Sequence, residues 1–179
     1  MEFLEKKYQC FIFALSFGII LGCSINQKTL TLDNSNFSVN DLNLDGYFYQ
    51  VDSFSMFGVI LYDNGIYMDI GGKMDCFSHT CFESYIEEFT NRNVDQNIYD
   101  LKGHWGKYKI EGESIIIERF RGIGWASYRI QKLEGRIKNK NQYIIHTYDD
   151  KKLDENWEFN YHPYSPKPDS TNQFIEGLE

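Results

Sequence analysis

The chain has 179 residues, the usual size of one domain, and its 18 basic and 26 acidic residues leave a net charge of −8. This acidic balance argues against a nucleic-acid-binding protein, which normally carries a basic stripe. An aromatic content of 17% with only 3 prolines excludes a disordered or collagen-like chain, and 4 cysteines are too few for a disulfide-dense scaffold.

Residues 1–22 have the pattern of a signal peptide. Two lysines precede an apolar run over residues 10–21, which is long enough for a signal-peptide core and short for a membrane-spanning helix. The run ends in Ile20-Leu21-Gly22-Cys23, which resembles the lipobox of bacterial lipoproteins. The resemblance implies cleavage before Cys23 and acylation of that residue, with palmitate among the chains, which is sufficient for stable anchoring. The alternative is an ordinary hydrophobic helix that contains a cysteine.

The residues after Cys23 predict where such a lipoprotein is held. Ser24 occupies the position at which aspartate is typical of inner-membrane retention in Gram-negative lipoproteins, so the resemblance implies the outer membrane of a bacterial envelope. Residues 23–43 are rich in Asn, Ser, Thr and Asp, which predicts a flexible tether. A short edge strand over residues 29–32 is the alternative. The membrane is the expected partner, through the lipid anchor.

Residues 44–162 alternate short apolar or aromatic runs with turn residues, at spacings typical of antiparallel hairpins. Residues 80–90 differ, because apolar side chains recur there at helical spacing with glutamates opposite, and Ser78 or Thr80 can cap the start. We therefore expect a mainly β domain of eight or nine strands, either a barrel or a sandwich, with one short helix. Three prolines predict an extended tail over residues 163–179. The predicted strands are 47–51, 57–62, 66–70, 105–110, 114–120, 125–133, 135–138, 142–148 and 157–161.

Three segments make this domain resemble small lipocalin-like envelope lipoproteins. They are Leu44-Asp45-Gly46-Tyr47-Phe48-Tyr49, the turn Leu61-Tyr62-Asp63-Asn64-Gly65, and the run Gly103-His104-Trp105-Gly106-Lys107-Tyr108-Lys109-Ile110 with the glutamate–glycine hairpin after it. The resemblance implies a lipocalin-like β-barrel.

Two of the cysteines remain once Cys10 leaves with the signal peptide and Cys23 takes lipid. Cys76 and Cys81 are separated by four residues, and in an oxidising periplasm such a pair most simply forms a disulfide. Free thiols are one alternative. A metal site of Cys76, His79 and Cys81 is another, although it lacks zinc-finger spacing. We expect no cofactor.

The sequence carries no His-Glu-x-x-His motif, nucleophile elbow or phosphate loop, so we expect a protein that is not an enzyme, with a hydrolase as the minor alternative. Aromatic residues on the predicted strands are the candidates for ligand binding, since such side chains bury a large area and keep a polar atom. Core filling is the alternative role. The candidates are Tyr47, Tyr49, Trp105, Tyr108, Trp125, Tyr128, Trp157, Phe159 and Tyr161.

These features support two functional hypotheses. In the first, a membrane-anchored barrel binds a small apolar or amphipathic ligand, or a lipid. In the second, a lipoprotein with a filled core contacts an envelope protein through its acidic surface. The charge distribution motivates the second. Residues 33–100 hold 12 acidic and 2 basic residues, whereas residues 101–179 hold 12 acidic and 13 basic residues.

Overall fold

The computed structural model describes residues 29–32, 42–91, 98, 101–123 and 127–175. Eight antiparallel strands follow one another around a closed barrel, and β1 pairs with both β2 and β8. Within the described residues, one α-helix and a 3-10 turn (Lys102–His104) separate β3 from β4. The predicted mainly β barrel with a single helix is confirmed. The elements are β1 (Gly46–Val51), β2 (Ser55–Leu61), β3 (Ile66–Met74), α1 (His79–Phe89), β4 (Trp105–Glu111), β5 (Ser114–Gly122), β6 (Tyr128–Asn139), β7 (Gln142–Tyr148) and β8 (Lys151–Pro163).

Strand alternation divides the apolar side chains into two cores, one on each face of the sheet. The inner core lies inside the barrel and includes Phe48, Leu61 and Tyr143. The outer core lies between the first four strands and α1 and includes Met68 and Trp105. Strands β2 and β3 are buried on both faces, which explains why their apolar runs are nearly continuous.

The helix α1 packs on the barrel through a few specific residues. Ser78 is its N-cap and accepts a hydrogen bond from the Cys81 amide at 3.3 Å. Phe82 and Ile86 form the buried face of the helix. Gly58 of β2 makes room for Phe82, because a Cβ at that position would collide with the phenyl ring. The helix therefore covers the outer face of β2 and β3.

The strand β6 is longer than the sequence predicts, since Tyr128–Asn139 is one continuous strand where two were expected around residue 134. The glycine at position 135 is not a turn residue. A Cβ there would collide with the carbonyl oxygen of Ile144 on β7, so Gly135 allows a close approach of two strands beside a register shift.

Only three residues of β3, Ile66 to Met68, pair with β4. Side chains hydrogen-bond to the backbone carbonyls of the next two residues of β3 instead. His104 Nδ1 lies 2.6 Å from the carbonyl oxygen of Asp69. The Tyr85 hydroxyl donates to the Ile70 carbonyl at 3.3 Å. These contacts close the seam between β3 and the 3-10 turn.

Segments outside the barrel also contact it. Thr31 and Leu32 hydrogen-bond to Glu118 on the outer face of β5. The C-terminal tail places Ile175 in the outer core, and its Lys167 donates to the Leu61 carbonyl at 3.1 Å. A search of the described helices for one long and apolar enough to cross a membrane finds none.

Candidate functional site: a cavity at one end of the barrel

The two ends of the barrel are built differently. In an antiparallel barrel the connections β1–β2, β3–β4, β5–β6 and β7–β8 share one end, which we call the mouth end. The opposite, closed end is filled with aromatic side chains. There the rings of Tyr143 and Phe159 stack with centroids 5.0 Å apart, and Phe48 packs edge-on to Tyr143 at 5.1 Å. Leu42, before β1, is buried in the same cluster.

A cavity of about 630 Å³ occupies the mouth half of the barrel. It reaches the strand ends, since Asp52, Arg121 and Gly122 line it. One part of its wall is apolar and another is polar, so a single molecule inside would meet both environments. The apolar wall is formed by Phe57, Val59, Leu133, Trp157 and Phe159, and the polar wall by Gln50, Asp52, Tyr67, Asp69, His104, Arg119 and Arg121.

The polar wall is organised around Arg119, which points inward from β5. Its guanidinium forms an ion pair with Asp69 of β3, and the exposed fractions of the two side chains are only 12% and 19%. Its Nε donates to the Gln131 side-chain oxygen at 2.7 Å, and Nη1 donates to the Tyr67 hydroxyl at 3.4 Å. Side chains from two other strands, β3 and β6, therefore hold Arg119 in place.

The electrostatics of this cluster keep Arg119 charged. Burial works against the charge, but the neighbouring Tyr67 and Asp69 outweigh it, so the pKa of Arg119 is raised. Burial, followed by the charge on Asp69, raises the pKa of Tyr67 as well, so its hydroxyl stays protonated. Because Arg119 and Asp69 neutralise one another, the pair gives the cavity wall polar atoms but no net charge.

Three buried side-chain polar atoms have no hydrogen-bond partner within the described part of the chain. They are Arg129 Nε, the side-chain nitrogen of Gln131 and the hydroxyl of Tyr143, and the last two residues are fully buried. Native structures leave few such groups unsatisfied. Gln131 is a direct neighbour of Arg119, so the polar wall retains capacity to donate a hydrogen bond.

The aromatic candidates from the sequence are distributed over four environments. Trp157 and Phe159 line the cavity. Tyr108 and Tyr161 belong to the inner core, and Tyr128 is exposed at the mouth end. Tyr47, Tyr49 and Trp105 lie on the outer face, in or against the outer core, because strand alternation directs them toward α1 and the tail. Trp125 lies outside the described residues.

The charged residues of the cavity were missed, although the sequence contains a signal for them. On β5, Ile115, Ile117, Arg119 and Arg121 share one face by alternation. A charge that continues an apolar face of a strand indicates either an inward polar site or the end of burial. The partner of Arg119, Asp69, could not be identified from the sequence, because it lies 50 residues away on another strand.

The disulfide between Cys76 and Cys81 is confirmed, with the two Cα atoms 5.9 Å apart. Both thiols are consumed, so the alternative metal site with His79 is not formed. Among the described residues, no group of three or more histidine, cysteine, aspartate or glutamate side chains could hold a metal ion. Cys23 lies outside the described residues.

Comparisons with known proteins give no family assignment. No protein-family model, curated protein or solved structure matches this chain. The functional argument therefore depends on the barrel and its cavity.

Proposed function

We propose that this protein is a non-catalytic, lipid-anchored lipoprotein of the bacterial envelope whose barrel binds a small amphipathic ligand. The observation that carries the proposal is the cavity of about 630 Å³, which has both an apolar and a polar wall. Small-molecule sites typically have volumes of about 300–1,000 Å³ and combine mostly apolar walls with a few placed polar groups.

The arrangement of the walls indicates how the ligand lies. Its apolar part packs against Trp157, Phe159 and Leu133, and its polar group faces Arg119 and Arg121. Arg119 is already neutralised by Asp69. Arg121 makes no ion pair with any described residue and is exposed, so it favours an anionic group near the mouth.

The experiment is a titration with a fluorescent anionic amphiphile, anilinonaphthalene sulfonate, followed by displacement with medium-chain fatty acids. We expect Arg121→Glu to weaken binding at least about tenfold, since a charge-assisted contact is worth about 1.5–3 kcal/mol. Arg136→Glu is the matched control, because that arginine is exposed on β6 near the closed end. Its affinity should match that of the unmodified protein.

A second variant tests whether the probe enters the cavity. Leu133→Trp places an indole ring in the cavity that Leu133 and Trp157 both line, and it should abolish probe binding, while circular dichroism confirms that the barrel is folded. If neither this variant nor Arg121→Glu changes the affinity, the cavity is not the binding site, and the interaction-protein hypothesis takes its place.

The anchoring half of the proposal is tested at Cys23. We expect the purified envelope protein to begin at this residue and to carry acyl chains by mass spectrometry. Cys23→Ser should remain uncleaved. An unmodified thiol at Cys23 in the envelope protein would refute the anchor and leave the ligand proposal standing.

A further inference from the structure

In the part of the chain that the structure describes, the large exposed apolar side chains lie at the mouth end. Among the described residues, seven large hydrophobic side chains are exposed, and Phe54 and Met74 are the most exposed, at 71% and 73%. Single exposed apolar residues are normal on a protein surface, but a contiguous group marks an interaction site. The seven are Val51, Phe54, Phe57, Met74, Phe77, Ile123 and Tyr128.

These residues surround the cavity on two sides. On one side, the Asp75 amide donates to the Phe54 carbonyl at 3.0 Å, which brings the β1–β2 turn beside the end of β3 and Met74. On the other side, Ile123 and Tyr128 flank the β5–β6 connection. Phe57 belongs to the first side and connects it to the cavity, because it is exposed and also lines the cavity. The apolar rim and the cavity therefore share a residue.

The charge at this end is mixed. The strand ends at the mouth carry six basic residues beside the four aspartates at positions 52, 75, 149 and 150, and α1, within the β3–β4 connection, adds three glutamates. Lysine and arginine side chains at a bilayer surface can contact the headgroup phosphates. The six are Lys73, Lys102, Arg121, Arg129, Lys151 and Lys152.

We propose that the mouth end docks onto a lipid bilayer, so that the cavity opens toward the membrane. The apolar rim would enter the interface, and the basic residues would contact the phosphates. The proposal extends the ligand-binding function, since an amphipathic ligand could then pass between bilayer and cavity without crossing water.

The N-terminal chain is long enough for this orientation. Thr31 is held on β5 by Glu118, four positions before Gly122 at the mouth end, a distance of about 13 Å along the strand. Cys23 lies eight residues before Thr31, and an extended chain of that length reaches about 28 Å. A lipid on Cys23 and the rim can therefore contact the same membrane.

The test uses the full chain on vesicles of phosphatidylethanolamine and phosphatidylglycerol. The photo-crosslinking residue p-benzoyl-phenylalanine is placed at Phe54 or Ile123 at the rim, and at exposed Lys140 in the β6–β7 turn as the control. The control lies about 30 Å from the rim along the barrel, so we expect at least about tenfold more lipid adduct at the rim positions.

Each outcome decides the proposal. Equal adduct formation at Phe54 and Lys140, or none at the rim, overturns it. Adducts in cell envelopes that join Phe54 to a protein instead of a lipid also overturn it, and identify a protein partner. The Leu133→Trp variant should retain the lipid adducts, so loss of ligand binding and loss of docking are separate results.

Discussion

The imidazole rings of His79 and His162 stack face to face, with centroids 3.6 Å apart and planes 7° from parallel. His79 begins α1 and His162 lies near the end of β8, so the stack joins the helix to the barrel seam. The Tyr47 hydroxyl lies 2.9 Å from His79 Nδ1, and His162 Nε2 lies 3.1 Å from a Glu83 oxygen. A second imidazolium charge in this arrangement would be repelled by the first.

We predict that the protein loses stability as the pH falls below about 6.5, the ordinary pKa of histidine. Burial, followed by the charge on His162, lowers the pKa of His79, while Glu83 opposes the shift. The unfolded chain therefore binds a proton that folded His79 resists. The stabilisation is present above the unfolded pKa and is lost as the pH falls through the folded one.

The measurement for this prediction is the midpoint of urea unfolding between pH 5 and 8. His79→Phe should flatten this part of the profile, since phenylalanine keeps a ring against His162 but does not titrate. His146→Phe is the control, because that histidine is outside the stack. A His79→Phe profile that parallels the unmodified protein would place the pH dependence elsewhere.

A second prediction concerns the attachment of residues 29–32. Glu118 accepts hydrogen bonds from the Thr31 amide and hydroxyl, both at 2.6 Å, and from the Leu32 amide at 3.1 Å. Glu118→Ala removes all three hydrogen bonds, and we expect a loss of about 1–3 kcal/mol in unfolding free energy. Hydrogen exchange at Thr31 and Leu32 should accelerate.

The control for this attachment is Glu111→Ala, which alters an exposed carboxylate on the neighbouring strand. It should leave exchange at Thr31 and Leu32 unchanged. Slow exchange at both amides in Glu118→Ala would show that other contacts hold the segment.

The ion pair inside the barrel predicts a coupling between Asp69 and Arg119. Asp69→Asn leaves the arginine without its counter-charge in a mostly buried site, and we expect a destabilisation of about 3 kcal/mol. The double variant Asp69→Leu/Arg119→Met replaces both charges and should lie close to the unmodified protein in urea unfolding. Strictly additive losses would show that the pair is not energetically coupled.

The disulfide predicts a redox-dependent stability. It closes a loop between residues five apart in sequence, for which chain entropy gives about 2 kcal/mol. Cys76→Ser/Cys81→Ser should lower the unfolding free energy by about this amount, and reductant should have the same effect on the unmodified protein. The double variant itself should not respond to reductant.

Local signals explain how much of the fold was predictable. The Asp63-Asn64-Gly65 turn was recognised from residue type, and Gly65 does adopt a positive φ of 82° while the Asn64 side chain accepts from the Ile66 amide. Ser78 and the helical spacing of Phe82 and Ile86 located α1 within one residue at each end. Each of these depends on atoms a few positions apart.

The cavity required contacts across the whole chain. Closure of the barrel pairs Gly46–Tyr49 with residues 160–163, and this decides that Phe48 faces inward and Tyr47 outward. Aromatic content alone therefore could not separate core from site.

Length, alternation and turn residues were sufficient to predict a mainly β domain with one helix and a disulfide that closes a short loop, because strands, caps and tight turns are set by neighbouring residues. The position of the cavity, the Arg119–Asp69 pair and the apolar rim depended on the tertiary structure. Each of them joins residues from separate strands, and only the closure and register of the barrel determine which side chains share a face or an end.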